Sequence, residues 1–185
     1  MKKKIISLAI SLFFSLFTSH LNASDQLWNL AQEGNKIILI RHSLAPGGGD
    51  PPGFKINDCK TQRNLNGIGI NQSKKIGKLF KKNKVSVDQV LSSQWCRCKD
   101  TAKFAFNNFE TFEALNSFYS TKFAKNEKRQ IKDLKKYIKN WKSNKNLILV
   151  THYVVISSIL NIAVSSGEIV VSDKNYEIIG SIETM

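Results

Sequence analysis

The chain has 185 residues, 42% of them hydrophobic and 23% charged, with 3 prolines and 10 glycines. Those proportions exclude collagen-like, mucin-like and wholly disordered chains and fit one globular domain, large enough to fold without staples. The 28 Lys+Arg against 14 Asp+Glu give a formal charge of +14; this favours anionic partners such as phosphorylated small molecules, nucleic acid or an anionic membrane face, with a general bias toward Lys, Asn and Ile as its other source.

In chain order, the basic start Met1-Lys2-Lys3-Lys4 leads into the apolar and Ser run Ile5–Phe17 and then Thr18–Ala23, which ends on a small residue. Basic, apolar and small-residue regions in that order are the layout of a secretory signal peptide. The expected organisation is a signal peptide over 1–23, cleaved near Ala23, and one exported domain over 24–185, secreted or periplasmic. The apolar run is shorter than the roughly 20 residues of a comfortable span; an uncleaved N-terminal anchor is the other reading. No second run of spanning length follows, so no membrane contact is expected once the signal is removed.

Ser24–Gly34 predicts a short helix with Ser24 or Asp25 as cap, and the β-branched run Lys36–Ile40 a buried strand ending at Arg41-His42. The loop Ser43–Asn64, rich in Gly, Pro and Asp, is far longer than the usual connection of about 2–6 residues and therefore reads as functional. Asn66–Lys82 places Ile70, Ile76, Leu79 and Phe80 near one helical face. Val85–Ser93 reads as a strand, Arg97–Phe106 as a helix, Phe112–Leu115 as a short strand and Asn126–Trp141 as a lysine-rich amphipathic helix. Asn146–Thr151 is another buried strand, stopping at His152; Val154–Val164 resumes a helix, and Gly167–Glu183 reads as a terminal hairpin. Strands alternating with helices predict a single-domain α/β fold with a mostly parallel sheet.

Export places Cys59, Cys96 and Cys98 where disulfides form. An odd number allows one intramolecular bridge at most, Cys59 with Cys96 or Cys98, against the alternative of three unpaired thiols. No metal site is expected, because neither paired C-x-x-C knuckles nor an H-x-x-x-H pair is present.

Strand ends carry the informative residues. Ligands of open α/β sheets bind outside the carboxyl ends of the strands, and parallel strands would gather Arg41, His42, Arg97 and His152 along one edge. Arginine forks suit phosphoryl oxygens and an imidazole can be a nucleophile. Each residue alone reads as structural; the joint arrangement points to phosphoryl chemistry.

These residues resemble a known family. Leu39-Ile40-Arg41-His42-Ser43 is similar to the LxRHG signature of the histidine phosphatase superfamily, Ser92–Ala102 to its SSPxxRAxxTA segment, and Val150-Thr151-His152 to its second histidine motif. Arg63–Gly69 resembles the start of its second helix. The resemblance implies a phosphoglycerate mutase-like fold with helices on both faces of the sheet. It makes His42 the nucleophile, Arg41 and Arg97 the phosphoryl ligands, His152 the second pocket histidine, and Arg63 and Ser43 substrate-binding positions. Water would hydrolyse the phosphoenzyme, so neither metal nor other cofactor is implied.

The departures are Ser43 for Gly, Gln94 for Pro and Cys98 for Ala. The family's general acid is missing: its expected position falls near Asn116 or Ser117, which leaves Glu113, Asp50 and Asp58 as candidate acids. Without an acid, good leaving groups such as phosphohistidine, aryl phosphates or phosphoanhydrides are favoured. The mutase reading is disfavoured by the chain's short length and export. Two hypotheses result: an exported metal-independent phosphatase of small phosphorylated substrates, and a non-catalytic phosphate- or polyanion-binding protein on the same scaffold. Nucleic-acid binding is not expected, since the lysines are spread over several helices and no aromatic-basic motif is visible.

Overall fold

The computed structural model describes residues 23–185. Residues 1–22, the body of the segment read as a signal peptide, lie outside them. Six strands form one mixed sheet: β1 (Ile37–Arg41), β2 (Val87–Ser92), β3 (Glu110–Thr111), β4 (Asn146–Thr151), β5 (Ile169–Ser172) and β6 (Ile178–Ile182), in the spatial order β3-β2-β4-β1-β5-β6. The first four are mutually parallel. The hairpin β5–β6 closes the sheet antiparallel on the other side of β1.

Strand side chains alternate between faces, and here both faces are covered. Ile37, Leu39, Leu147 and Leu149 pack on one side against α5 (Glu127–Asn140) and α6 (Tyr153–Leu160). Ile38, Ile40, Ile148 and Val150 pack on the other against α1 (Ala23–Gln32), α2 (Gly67–Lys82) and α3 (Cys96–Phe106). This double burial explains why β1 and β4 read as continuous apolar runs rather than alternating ones. Each fully buried aliphatic side chain contributes on the order of 2 kcal/mol. A four-residue helix, α4 (Thr121–Ala124), precedes α5.

The α/β expectation, the parallel sheet and the terminal hairpin therefore hold, and two element boundaries differ. The strand expected at Phe112–Leu115 is displaced: β3 is the dipeptide Glu110–Thr111, and Glu113–Leu115 is a 3-10 turn. The chain bends there because the Leu115 carbonyl accepts a hydrogen bond from the Thr151 hydroxyl at 2.7 Å instead of continuing a ladder. The helix expected over Val154–Val164 ends at Leu160, where Asn161 takes a left-handed conformation with φ 54°.

Three devices hold the long loop after β1 against the body. Gly69 lets the backbone of Leu44 approach α2 so closely that a Cβ there would lie 2.1 Å from the Leu44 carbonyl oxygen. Asn66 caps α2, its side chain accepting from the Gly69 amide at 2.9 Å. Cys59 and Cys96 form a disulfide across 37 residues, which settles the pairing and leaves Cys98 as a buried free thiol. A closed loop of that length restricts the unfolded chain by roughly 4 kcal/mol in the chain-entropy account. Replacing Cys59 and Cys96 together by Ser is expected to lower the free energy of unfolding by about 2–4 kcal/mol, read from the denaturant midpoint. An unchanged midpoint would show that the other contacts suffice to hold the loop.

Candidate active site

The register of β1 on β4 pairs Arg41 with Thr151, so His42 and His152 leave the sheet side by side. The His42 amide donates to the Thr151 carbonyl at 2.9 Å, and the two imidazole centroids lie 5.5 Å apart. Ser93 follows β2 at the same edge, and Arg97 lies in the first turn of α3. The strand-end reading thus places all four residues where they were expected.

Hydrogen-bond partners assign the protons. His42 Nδ1 lies 2.8 Å from the Ser43 carbonyl oxygen. A carbonyl can only accept, so Nδ1 carries the hydrogen and Nε2 keeps the lone pair. His152 Nδ1 faces an Arg97 terminal nitrogen at 3.4 Å; a guanidinium can only donate, so Nδ1 accepts and Nε2–H donates to Ser93 Oγ at 2.8 Å. The Ser93 hydroxyl then donates to Asn116 Oδ1 at 3.1 Å. Burial, and after it the Arg97 charge, hold both imidazoles well below the ordinary histidine range, so both are neutral near pH 7.

Three guanidinium groups surround them. Arg41 donates to the Val164 carbonyl at 2.7 Å. Arg63 donates to the Gly49 carbonyl at 2.8 Å and to the Ala45 carbonyl. Arg97, 3% exposed, pairs with Asp50 Oδ1 at 2.8 Å. Among the described residues, the buried Nε–H groups of Arg41 and Arg97 have no partner. Unpaired buried donors of this kind cost free energy until a ligand satisfies them.

A cavity of about 330 Å³ joins these groups, with Arg41, His42, Arg63, Arg97 and His152 as its floor. Towards solvent its wall is aromatic. Phe54, Trp95 and Phe123 form a triangle with ring centroids 5.5 to 6.0 Å apart, and the exposed Tyr119 and Tyr153 stand at the rim.

The candidate acids separate clearly. Asp50 lines the cavity, but its carboxylate accepts from Arg97, from the Arg63 amide at 3.1 Å and from Trp95 Nε1 at 3.0 Å. With three donors aimed at it, this carboxylate stands in the site as an acceptor. Glu113 is outside the cavity, its carboxylate half-exposed on Arg129. Asp58 is outside it too, accepting from the Lys60 amide at the 3-10 turn Cys59–Thr61. Neither can reach a substrate from there.

Ser43 is also reassigned. Its hydroxyl shares a hydrogen bond with Ser73 at 2.8 Å and its amide donates to Thr101 Oγ1 at 3.0 Å, away from the cavity. What Ser43 gives the site is its carbonyl, which orients His42. Cys98 is packed against His152, its sulfur 3.4 Å from Nε2, and burial pushes the thiol up to about 12; it is an uncharged filler. The aromatic wall, Ser93 and the acceptor role of Asp50 were not found from the sequence. The position expected for the acid does fall at the site: Asn116 holds Ser93 and Gln94, and Ser117 lines the cavity.

No family model and no curated protein matches the chain. Solved structures do resemble it. A phosphoserine phosphatase from Entamoeba histolytica, in complex with 3-phosphoglyceric acid, is 17% identical with a TM-score of 0.59, over 80% of this chain and 97% of that one. A putative phosphohistidine phosphatase SixA from Agrobacterium tumefaciens is 18% identical with a TM-score of 0.57, over 80% and 97%. A putative alpha-ribazole-5'-P phosphatase from Escherichia coli is 16% identical with a TM-score of 0.56, over 78% and 94%. With its strand order, its two covered faces and its histidines at adjoining strand ends, the chain has the phosphoglycerate mutase-like fold of the histidine phosphatases.

Proposed function

We propose that this chain is an exported, metal-independent phosphatase that hydrolyses a small phosphorylated compound through a phosphohistidine at His42. The observation that carries this reading is the cavity floor. There a neutral imidazole, its Nδ1–H held by the Ser43 carbonyl, keeps a lone pair on Nε2, beside two buried guanidinium Nε–H groups without partners. Those donors suit the equatorial oxygens of a phosphoryl group and the charge that develops on them in transfer. The three solved proteins named above are phosphatases or putative phosphatases, which agrees.

The residues act in two steps. His42 Nε2 attacks phosphorus as the bond to the leaving group breaks, while Arg41, Arg63 and Arg97 hold the oxygens. Water then attacks the phosphohistidine, the P–N bond breaks and inorganic phosphate leaves. His152, with both ring nitrogens engaged by Ser93 and Arg97, packs beside His42 and positions that ring and the Arg97 guanidinium. The arginines meet the phosphoryl charge, so no metal is required by this scheme. Export is supported by the basic-apolar start of the chain and by the disulfide. A second reading, a non-catalytic anion binder, draws on one observation: Asp50, the carboxylate in the cavity, is committed as an acceptor.

His42→Ala is expected to abolish p-nitrophenyl phosphate hydrolysis that persists in a chelator, with the thermal midpoint retained; near-normal turnover by a folded variant would remove the nucleophile. Arg97→Ala is expected to weaken inhibition by inorganic phosphate or vanadate on the order of 100-fold, because it deletes charge-assisted donors in a buried site. An unchanged inhibition constant counts against the floor as the phosphoryl site. Of the chain's 3 histidines, only His42 and His152 follow Ala23, so the mature protein gives a simple imidazole spectrum. Both groups are depressed. In phosphate-free buffer, NMR should therefore show both rings neutral as pH falls through 6.5, with protonation only well below it. Ordinary titration near 6.5 would contradict the buried, arginine-crowded floor.

A further inference from the structure

Five of the seventeen residues lining the cavity are aromatic, against 10% of the chain, so the aromatic character is local to the site. It is also layered. The floor is buried, with His42 at 2% exposure and His152 at 3%, whereas Tyr119 and Tyr153 at the mouth are 71% and 41% exposed. Phe54 and Phe123 lean on Trp95 between the two levels. An exposed ring at a cavity mouth has apolar surface to offer and few partners to satisfy it.

Apart from the floor's arginines and Asp50, no charged side chain among the described residues lines the cavity. A second phosphate or a carboxylate on the leaving group would find no dedicated partner in the wall. The volume of about 330 Å³ lies at the lower end of ligand pockets, sufficient for a phosphoryl group and one ring.

Leaving-group chemistry points the same way. Asp50, the one carboxylate lining the cavity among the described residues, accepts three hydrogen bonds, and Glu113 and Asp58 lie elsewhere, so no described carboxyl group is left free to meet a departing oxygen. A phenol has an ordinary pKa of about 10, far below that of an aliphatic alcohol, and departs as phenolate without a proton.

We infer that the aromatic wall is a leaving-group subsite for aryl phosphate monoesters, a reading that rests on the phosphatase proposal for the floor. The aryl ring lies against Tyr119, Phe123 and Phe54 while the phosphoryl group occupies the arginine floor. His42 Nε2 forms a bond to phosphorus, the P–O(aryl) bond breaks and its electron pair leaves on the phenolate oxygen. Water supplies the oxygen that displaces phosphate from His42, and the proton it releases balances the one the phenolate takes up from solvent.

The test separates the wall from the chemistry by using ligands that cannot be hydrolysed. Calorimetry with the mature protein compares phenylphosphonate with methylphosphonate, which share the floor and differ in the ring. The phenyl compound is expected to bind about tenfold more tightly, and Tyr119→Ala with Phe123→Leu to bring that ratio close to one. Because the ratio is taken within one protein, a general loss of folded material does not mimic the result. Equal affinities in the wild-type protein, or a ratio the double variant leaves intact, would overturn the inference. In parallel, phenyl phosphate is expected to exceed hexafluoroisopropyl phosphate, whose leaving alcohol is comparably acidic, by about tenfold in kcat/KM; equal values also overturn it. Phenylphosphonate bound with the expected preference but phenyl phosphate left intact would sink the catalytic reading and not the subsite. Binding of neither phosphonate would sink both.

Discussion

Three guanidinium groups and two imidazoles converge on one buried floor, and the mutual repulsion of those like charges is the constraint to which the surrounding structure answers. Two unit charges about 4 Å apart interact by several kcal/mol near a protein surface and by more inside it. The imidazoles respond by staying neutral. The arginines are each tied to a neighbouring acceptor: Arg41 to the Val164 carbonyl, Arg63 to the Gly49 and Ala45 carbonyls, Arg97 to Asp50. Even so, two Nε–H groups remain unpaired among the described residues. The floor thus offers unpartnered donors and positive charge to an anion, which is the condition for strong binding of a dianion without rearrangement of the protein.

Asp50 is the joint through which this arrangement reaches the rest of the molecule. One carboxylate receives the Arg97 guanidinium, the Trp95 indole and the Arg63 amide, so it couples α3, the aromatic wall and the long loop after β1. The same loop is anchored by the Cys59–Cys96 disulfide one residue before Arg97 and by the Gln62 side chain, which accepts from the Cys96 amide at 3.0 Å. A segment with almost no regular secondary structure is therefore tied to α3 by a disulfide, an ion pair and side-chain hydrogen bonds. Gly47, Gly48, Gly49 and Phe54 of this loop thereby line the site.

The floor was legible in the sequence because strand ends are. Apolar runs that stop at Arg41-His42 and at His152 place those residues at the carboxyl edge of a parallel sheet, and short-range pattern suffices for that. The wall was not legible, since Phe54, Trp95, Tyr119 and Phe123 come from separate loops and helix starts that only the tertiary fold brings together. Asp50 was recognised as a residue of interest but assigned as an acid, because residue type does not reveal three donors around a carboxylate. Glu113 reads as an acid by proximity to the expected position, yet the chain turns at Glu113–Leu115 and sends its carboxylate to Arg129. Cys96 and Cys98 were equivalent partners for Cys59 on paper. A helix rotates about 200° over two residues, so one sulfur meets the loop while the other is packed against His152.

The absence of a placed acid and the presence of the wall are two consequences of one arrangement. The oxygens of Asp50 are taken up by the Arg97 guanidinium, the Trp95 indole and the Arg63 amide, and so are not turned to a leaving group. The acid was expected near Asn116 or Ser117; Asn116 is occupied with Ser93 and Gln94, and Ser117 lines the cavity. A hydroxyl is too weak an acid to protonate an alkoxide, but it can donate a hydrogen bond to a phenolate, and such a bond to a charged oxygen contributes about 1.5–3 kcal/mol. Hydroxyls and rings at the mouth therefore suit a leaving group that is flat, apolar and already stable as an anion. On the proposed reading an aliphatic phosphate would need a proton for its departing alkoxide, and the described residues of the wall hold hydroxyls and rings but no carboxyl group to give it.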